Sequence, residues 1–189
     1  MNYEGHIRVP RVSAALLTDQ IAILREQIGA DVVARAMDSL PEAQRAELRA
    51  LTSVGWIDVA IAKAIFVAAA HEAGRDVESV HRNAVRAGVE QTFKSLWRLI
   101  LRLTTDNALV TRTPMIYSKT YDSGKLSSRI VAPGRAEIVL EGWPGADELS
   151  LRGLAVGIET TLIVAGRKGV RVNFDRRSDG ALFVASWRA

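Results

Sequence analysis

Hydrophobic residues recur along this chain with two different spacings, and the change between them falls inside one stretch. Up to about residue 112 they repeat three and four apart, the mark of helices with one apolar face. Beyond it they alternate with polar residues, as in strands with one buried face. The junction is Thr113–Pro144, TPMIYSKTYDSGKLSSRIVAPGRAEIVLEGWP. Pro114 is expected to bar helix continuation, and Asp122–Gly124 and Pro133–Gly134 supply turn residues. The stretch therefore reads as the hairpin that opens a sheet.

Met1–Arg11 alternates Ile7 and Val9 with charged residues and holds Pro10, so it is an extended arm, either an edge strand or free. Ser13 is a suitable N-cap for a helix through Leu16, Leu17, Ile21, Leu24 and Ile28, stopped at Gly29. Asp31 could cap a second helix to Leu40, and Pro41 opens a third, PEAQRAELRALTS. Trp56–Ala73 reads as an alanine-rich helix that is apolar nearly all round, which puts it in the middle of the helical layer. Asp76–Leu103 reads as the longest helix, with Val85, Val89, Phe93, Leu96, Ile100 and Leu103 on its apolar face. In the second half Ala136, Ile138 and Leu140 alternate with Glu137 and Glu141. Asp147–Ala165 returns to helical spacing, and Val170–Phe174 and Ala181–Trp187 are two further strands. The expectation is a single α+β domain at 13–189 behind an arm at 1–12, with a helical part at 13–112 and a ββαββ antiparallel sheet unit at 113–189.

Composition narrows the function more than it names it. The 189 residues include no cysteine, which removes disulfides, thiolate metal sites and cysteine nucleophiles and fits a reducing cytoplasm. The 25 Lys and Arg stand against 21 Asp and Glu, a net charge of +4. Acids are interspersed through most segments, so a nucleic-acid partner is not expected. The most apolar run, Ala60–Ala70, is about half a bilayer span and holds Lys63, so it reads as a buried helix and no membrane span is expected.

Reactive constellations are missing. There is no Gly-x-Ser-x-Gly elbow, no phosphate-cradling Gly-x-x-x-x-Gly-Lys loop and no dinucleotide fingerprint. His71–Glu72 lacks a second histidine four residues on, and three scattered histidines have no zinc-ligand spacing. His71 and His81 read as surface or helix-end residues. An enzyme is not expected. The aromatic residues are more suggestive: Trp56, Phe66, Phe93, Trp97, Tyr117, Tyr121 and Trp143 gather at the helical core and its junction with the sheet. They either pack as plain core or wall a pocket, with tyrosine hydroxyls and Arg129 orienting a ligand.

Four tracts carry a resemblance: LPEAQRAELRAL at Leu40–Leu51, FKSLWRLILRL at Phe93–Leu103, YSKTYDSGKL at Tyr117–Leu126 and RAEIVLEGWPG at Arg135–Gly145. With the helices-then-ββαββ order, the chain resembles the superfamily of haem-nitric-oxide-binding domains, 4-vinyl-reductase-type sensor domains and TRAPP vesicle-tethering subunits. Within it the chain is most similar to a family found largely in myxobacteria. The resemblance implies a sensor or scaffold that dimerises through its helical layer, and in some relatives a small molecule between helices and sheet. Haem-binding relatives hold the propionates with Tyr-x-Ser-x-Arg, matched here by Tyr121, Ser123 and Lys125 with Lys in the Arg place. Val89–Leu103, the helix leading into that motif, has no histidine for iron, so no cofactor is expected. Two functions remain open: a non-catalytic sensor module binding a small apolar or amphipathic ligand, and a dimeric scaffold that meets an unidentified protein partner without a ligand.

Overall fold

The computed structural model describes residues 9–93, 101–143 and 145–188. A short strand β1 (Arg11–Ser13) leads into helix α1 (Ala14–Ile28), whose first turn is capped by the Ser13 hydroxyl accepting from the Leu16 N–H. Gly29, at φ 100°, turns the chain into α2 (Ala30–Asp38), and α3 (Glu42–Ala50) begins after Pro41. Strand β2 (Trp56–Asp58) then pairs antiparallel with β1, Val12 facing Ile57. Helix α4 (Val59–Glu72) follows, capped by the Asp58 carboxylate on the Ala60 N–H, and α5 (Val77–Thr92) is capped by Asp76 on Ser79.

The second half runs α6 (Asp106–Thr120), β3 (Lys125–Ala132), β4 (Arg135–Glu141), α7 (Glu148–Val164), β5 (Lys168–Arg177) and β6 (Gly180–Arg188). The four strands form one antiparallel sheet in the order β3-β4-β6-β5. The architecture is thus α+β, helices first and then the expected ββαββ unit. Ala136, Ile138 and Leu140 on β4 and Ala181, Phe183 and Ala185 on β6 are buried on the inner face, while Glu137 and Glu141 lie toward solvent.

Three boundaries differ from the sequence reading. Trp56–Asp58 is a strand, because β1 offers its open edge to Trp56, Ile57 and Asp58. The long Asp76–Leu103 helix ends at Thr92, where Phe93 leaves helical geometry (φ −102°, ψ 36°) and its N–H caps the Val89 carbonyl. Most important, Pro114 does not stop a helix but lies inside α6. Proline cannot donate to the carbonyl four residues back, which belongs to Val110. The Ser128 hydroxyl of β3 donates to that carbonyl instead, at 2.7 Å, so the gap in the helix ladder is filled from the sheet. Asp122–Gly124 consequently joins a helix to a strand, and the hairpin lies between β3 and β4 at Pro133–Gly134, where Gly134 has φ 68°.

Two apolar cores result. One fills the helical layer around Leu17, Leu24, Ile57 and Ile65. The other lies between the sheet and α7 around Ile138, Leu140, Leu151 and Phe183. Each fully buried side chain of this size contributes about 1.5–3 kcal/mol. Val59 and Tyr121 pack against both cores, which places the end of α6 at their junction.

Candidate functional site

The two cores do not close on one another completely. Between α1, α4, α5, α6, α7 and the inner face of the sheet lies a cavity of about 270 Å³. Its walls are mainly apolar: Val12 and Leu16 from the first layer, Phe66 from α4, Val85 and Val89 from α5, Leu154 and Ile158 from α7. Residues of α6 complete it, with Val110, Ile116, Tyr117 and Tyr121 at its end.

The Tyr117–Leu126 stretch is held by several bonds. Tyr121 bridges to Val12 of β1, the Arg11 N–H donates to Asp122 Oδ1 at 2.9 Å, and the Asp122 N–H donates to the Arg11 carbonyl at 3.1 Å. The Tyr117 hydroxyl donates to the Ser123 carbonyl at 2.6 Å, inside the core. Gly124 sits at φ 75°, and a side chain there would meet the Tyr117 hydroxyl and the Glu141 carbonyl, each 3.0 Å from a Cβ. Tyr121 stacks on Tyr117 and tilts against Trp143, with ring centres 5.2 Å apart in both pairs. Burial first of all, then the nearby Tyr121 and Asp122, pushes the Tyr117 hydroxyl well above the usual tyrosine range. Burial pushes Tyr121 up to about 12. Both are neutral donors at any physiological pH.

Of the aromatic residues singled out from sequence, Phe66, Phe93, Tyr117 and Tyr121 line the cavity. Trp97 lies outside the described residues. Trp56 and Arg129 stand apart from the cavity. Trp56 is 37% exposed on β2. The Arg129 side chain is 74% exposed on the outer sheet face, where it pairs with Glu137 on the neighbouring strand at 2.7 Å. Arg129 sits at an odd register position of β3 relative to buried Leu126, and that alternation turns it outward.

Two cavity residues lie beyond what the sequence reading proposed. His81 is not a surface residue: it projects from α5 into the wall and meets the Phe66 ring edge-on, with ring centres 4.8 Å apart. Its position four residues before Val85, and eight before Val89, puts it on the apolar face of α5. Gly153 of α7 makes room for it, since a Cβ there would lie 2.6 Å from His81 Cε1. Burial lowers His81 to about 4, against a smaller upward pull from Asp147, so the imidazole is neutral at pH 7. Gln20 of α1 is the second. It is only 8% exposed, four residues after Leu16 on the same face, and its amide has no hydrogen-bond partner among the described residues. His71, in contrast, is exposed in the last turn of α4, as expected.

The remaining wall is quiet chemically. Lys63 is the single formally charged lining residue among those described, and its ammonium is bonded to Asp147 at 3.0 Å. No group of three His, Asp or Glu among the described residues could hold a metal ion. No helix among them is long and apolar enough to cross a membrane.

Neither a family model nor a curated protein matches the chain by sequence. Solved structures do match it by shape. An oxygen-binding H-NOX domain related to soluble guanylate cyclases aligns with a TM-score of 0.66 at 17% identity, covering 94% of this chain and 95% of that one. A single-site mutant of the T. tengcongensis H-NOX gives 0.67 at 15% identity, covering 94% and 98%. A mutant H-NOX protein from K. algicida, described as Fe(II) and unliganded, gives 0.67 at 8% identity, covering 93% and 96%. At nearly full length on both sides, the chain has the fold of the H-NOX, or haem-nitric-oxide-binding, domains.

Proposed function

We propose that this chain is a non-catalytic, small-molecule-binding sensor module whose ligand sits between the helical layer and the sheet. The observation that carries the reading is the cavity at the meeting of two separately packed cores. Close-packed interiors leave few voids larger than a water molecule. A void of about 270 Å³ instead approaches the size of ordinary ligand sites, which start at ~300 Å³. A ligand there touches both cores at once, so filling the space couples the helices to the strands. That coupling is what a sensor needs to pass occupancy to a partner.

Haem, the group the H-NOX name implies, does not fit the residues present. The Ser123 hydroxyl donates to Asp122 at 2.9 Å, the Ser123 carbonyl is taken by Tyr117, and Lys125 is exposed at the start of β3. The Tyr121, Ser123 and Lys125 set therefore has no open cradle for a propionate. His81 is the histidine in the wall, but its ring is packed edge-on against Phe66 and closely over Gly153 of α7. The space also holds on the order of ten non-hydrogen atoms, by comparison with a ~150 Å³ cavity that takes benzene. An iron porphyrin is several times larger.

Native and denaturing mass spectra of one purified sample test the proposal. A non-covalent adduct of small mass that disappears on denaturation is expected. The same spectra count subunits, and a homodimer is the expected assembly. Bare polypeptide in both spectra, with no small molecule able to raise the melting temperature, would count against it and favour a scaffold.

A further inference from the structure

Nearly every polar group in the cavity wall is already used within the fold. Four lining threonines, Thr92, Thr113, Thr120 and Thr161, return their hydroxyl protons to carbonyls four residues back in their own helices, at 2.8–3.5 Å. Trp187 donates its indole N–H to Asp106, and Tyr117 donates to Ser123. Lys63 is held by Asp147, which also takes the hydroxyl of Ser150. Three groups are left over. The Gln20 amide, the His81 imidazole and the Tyr121 hydroxyl line the space and have no hydrogen-bond partner among the described residues. They come from α1, α5 and the end of α6, three separate walls of one cavity.

Gln20 is only 8% exposed and its amide lines the cavity, so whatever fills that space, water or a ligand, is the partner on which the amide depends. Leucine or methionine would serve packing alone. Charge gives the complementary constraint. The one charged side chain of the described wall, Lys63, is paired with Asp147 so that the pair brings no net charge, and burial holds His81 neutral. Burying an uncompensated carboxylate would cost far more than any contact in the site returns.

On the sensor reading above, on which this rests, we infer that the ligand is an uncharged, mainly aromatic or aliphatic molecule carrying one hydrogen-bonding group, a hydroxyl, carbonyl or amide. Gln20 and Tyr121 are its polar anchors, and His81 offers one donor and one acceptor beside them. Phe66, Leu154 and Ile158 hold the apolar body. Such a site rejects fatty-acid-like and other anionic ligands of the same shape.

The test is calorimetric titration of the full chain at pH 7 with three matched probes: naphthol, naphthalene and naphthoate. Naphthol is expected to bind roughly tenfold more tightly than naphthalene, the worth of one or two well-made hydrogen bonds. Naphthoate is expected to bind at least about a hundredfold more weakly than naphthol. Gln20→Met and Tyr121→Phe are each expected to shrink the naphthol advantage by several-fold while leaving naphthalene binding within about twofold. Unchanged naphthalene binding shows that the variant still folds around the cavity, and if one variant loses it, the other carries the comparison. Naphthoate binding as tightly as naphthol would overturn the neutral class while leaving the ligand site standing. An undiminished naphthol advantage in both variants would overturn the assignment of the anchors. Binding of none of the three would overturn this inference and the sensor reading together.

Discussion

Ser128 offers the sharpest test of how the wall formed by α6 is built. Its hydroxyl donates to the Val110 carbonyl at 2.7 Å, the acceptor that Pro114 cannot serve. Val110 is 4% exposed and the bond is partly buried, so bulk water replaces it poorly. Ser128→Ala then leaves a buried carbonyl unpaired at a cost of about 1–3 kcal/mol, with about 2 kcal/mol as a central expectation. In a Pro114→Ala background the new N–H at 114 can donate to Val110 within the helix. There the same Ser128→Ala change should cost only about 0.5 kcal/mol, the worth of a residual contact. The two sites are therefore coupled by about 1.5 kcal/mol, well above the ~0.3–0.5 kcal/mol scatter of independent sites. Urea denaturation of the four proteins, followed by tryptophan fluorescence and circular dichroism together, measures the cycle. Equal Ser128→Ala costs in both backgrounds would refute the argument, since the hydroxyl would then do nothing that an amide can replace.

The ends of the sheet and the cavity wall give two more expected outcomes. Arg167, with a side chain only 11% exposed, bonds the Asp106 carboxylate at 2.7–2.8 Å and the carbonyls of Thr104 and Ala165 at 2.6 Å. Arg167→Met removes the cation beside Asp106, which keeps its bond from Trp187 and is a third exposed, and urea denaturation should show a loss of about 1–3 kcal/mol. His81 is neutral in the fold down to about pH 4, whereas an unfolded histidine takes a proton near 6.5. Its folded value is the lower one, so its contribution is fully present above 6.5 and is lost as pH falls toward 4. The total is on the order of 3 kcal/mol, and His81→Phe should flatten that part of the stability profile. An unchanged slope between pH 6.5 and 4 in the variant would contradict the burial of the ring.

Much of the architecture could be read directly because local chemistry and tertiary structure agree there. Ser13, Asp76 and Asp147 each cap a helix through a side-chain oxygen. Gly29 and Gly166 take the positive φ that ends α1 and α7, and β4 shows its alternation without distortion. Sequence and structure part where a distant partner decides. Pro114 signals a break only if nothing supplies the missing bond, and Ser128 is fourteen residues on and in another element. The strands β1 and β2 are three residues each and exist through one another. The cavity is harder still. Phe66, Tyr117 and Tyr121 look the same in sequence whether they touch side chains or a void, and Arg129 differs from a pocket residue only by strand parity. Gln20 and His81 carry a usable signal, a polar residue at the apolar position of an amphipathic helix. That signal is weak, because isolated polar residues at such positions are commonly satisfied by the core.

Crystals pressurised with xenon would test the central claim most directly, because xenon occupies apolar voids regardless of the natural ligand. Ordered xenon is expected between α5, α7 and the sheet, in contact with Phe66, Tyr121 and Leu154. Side chains closed over that space, with no xenon between the two cores, would contradict it.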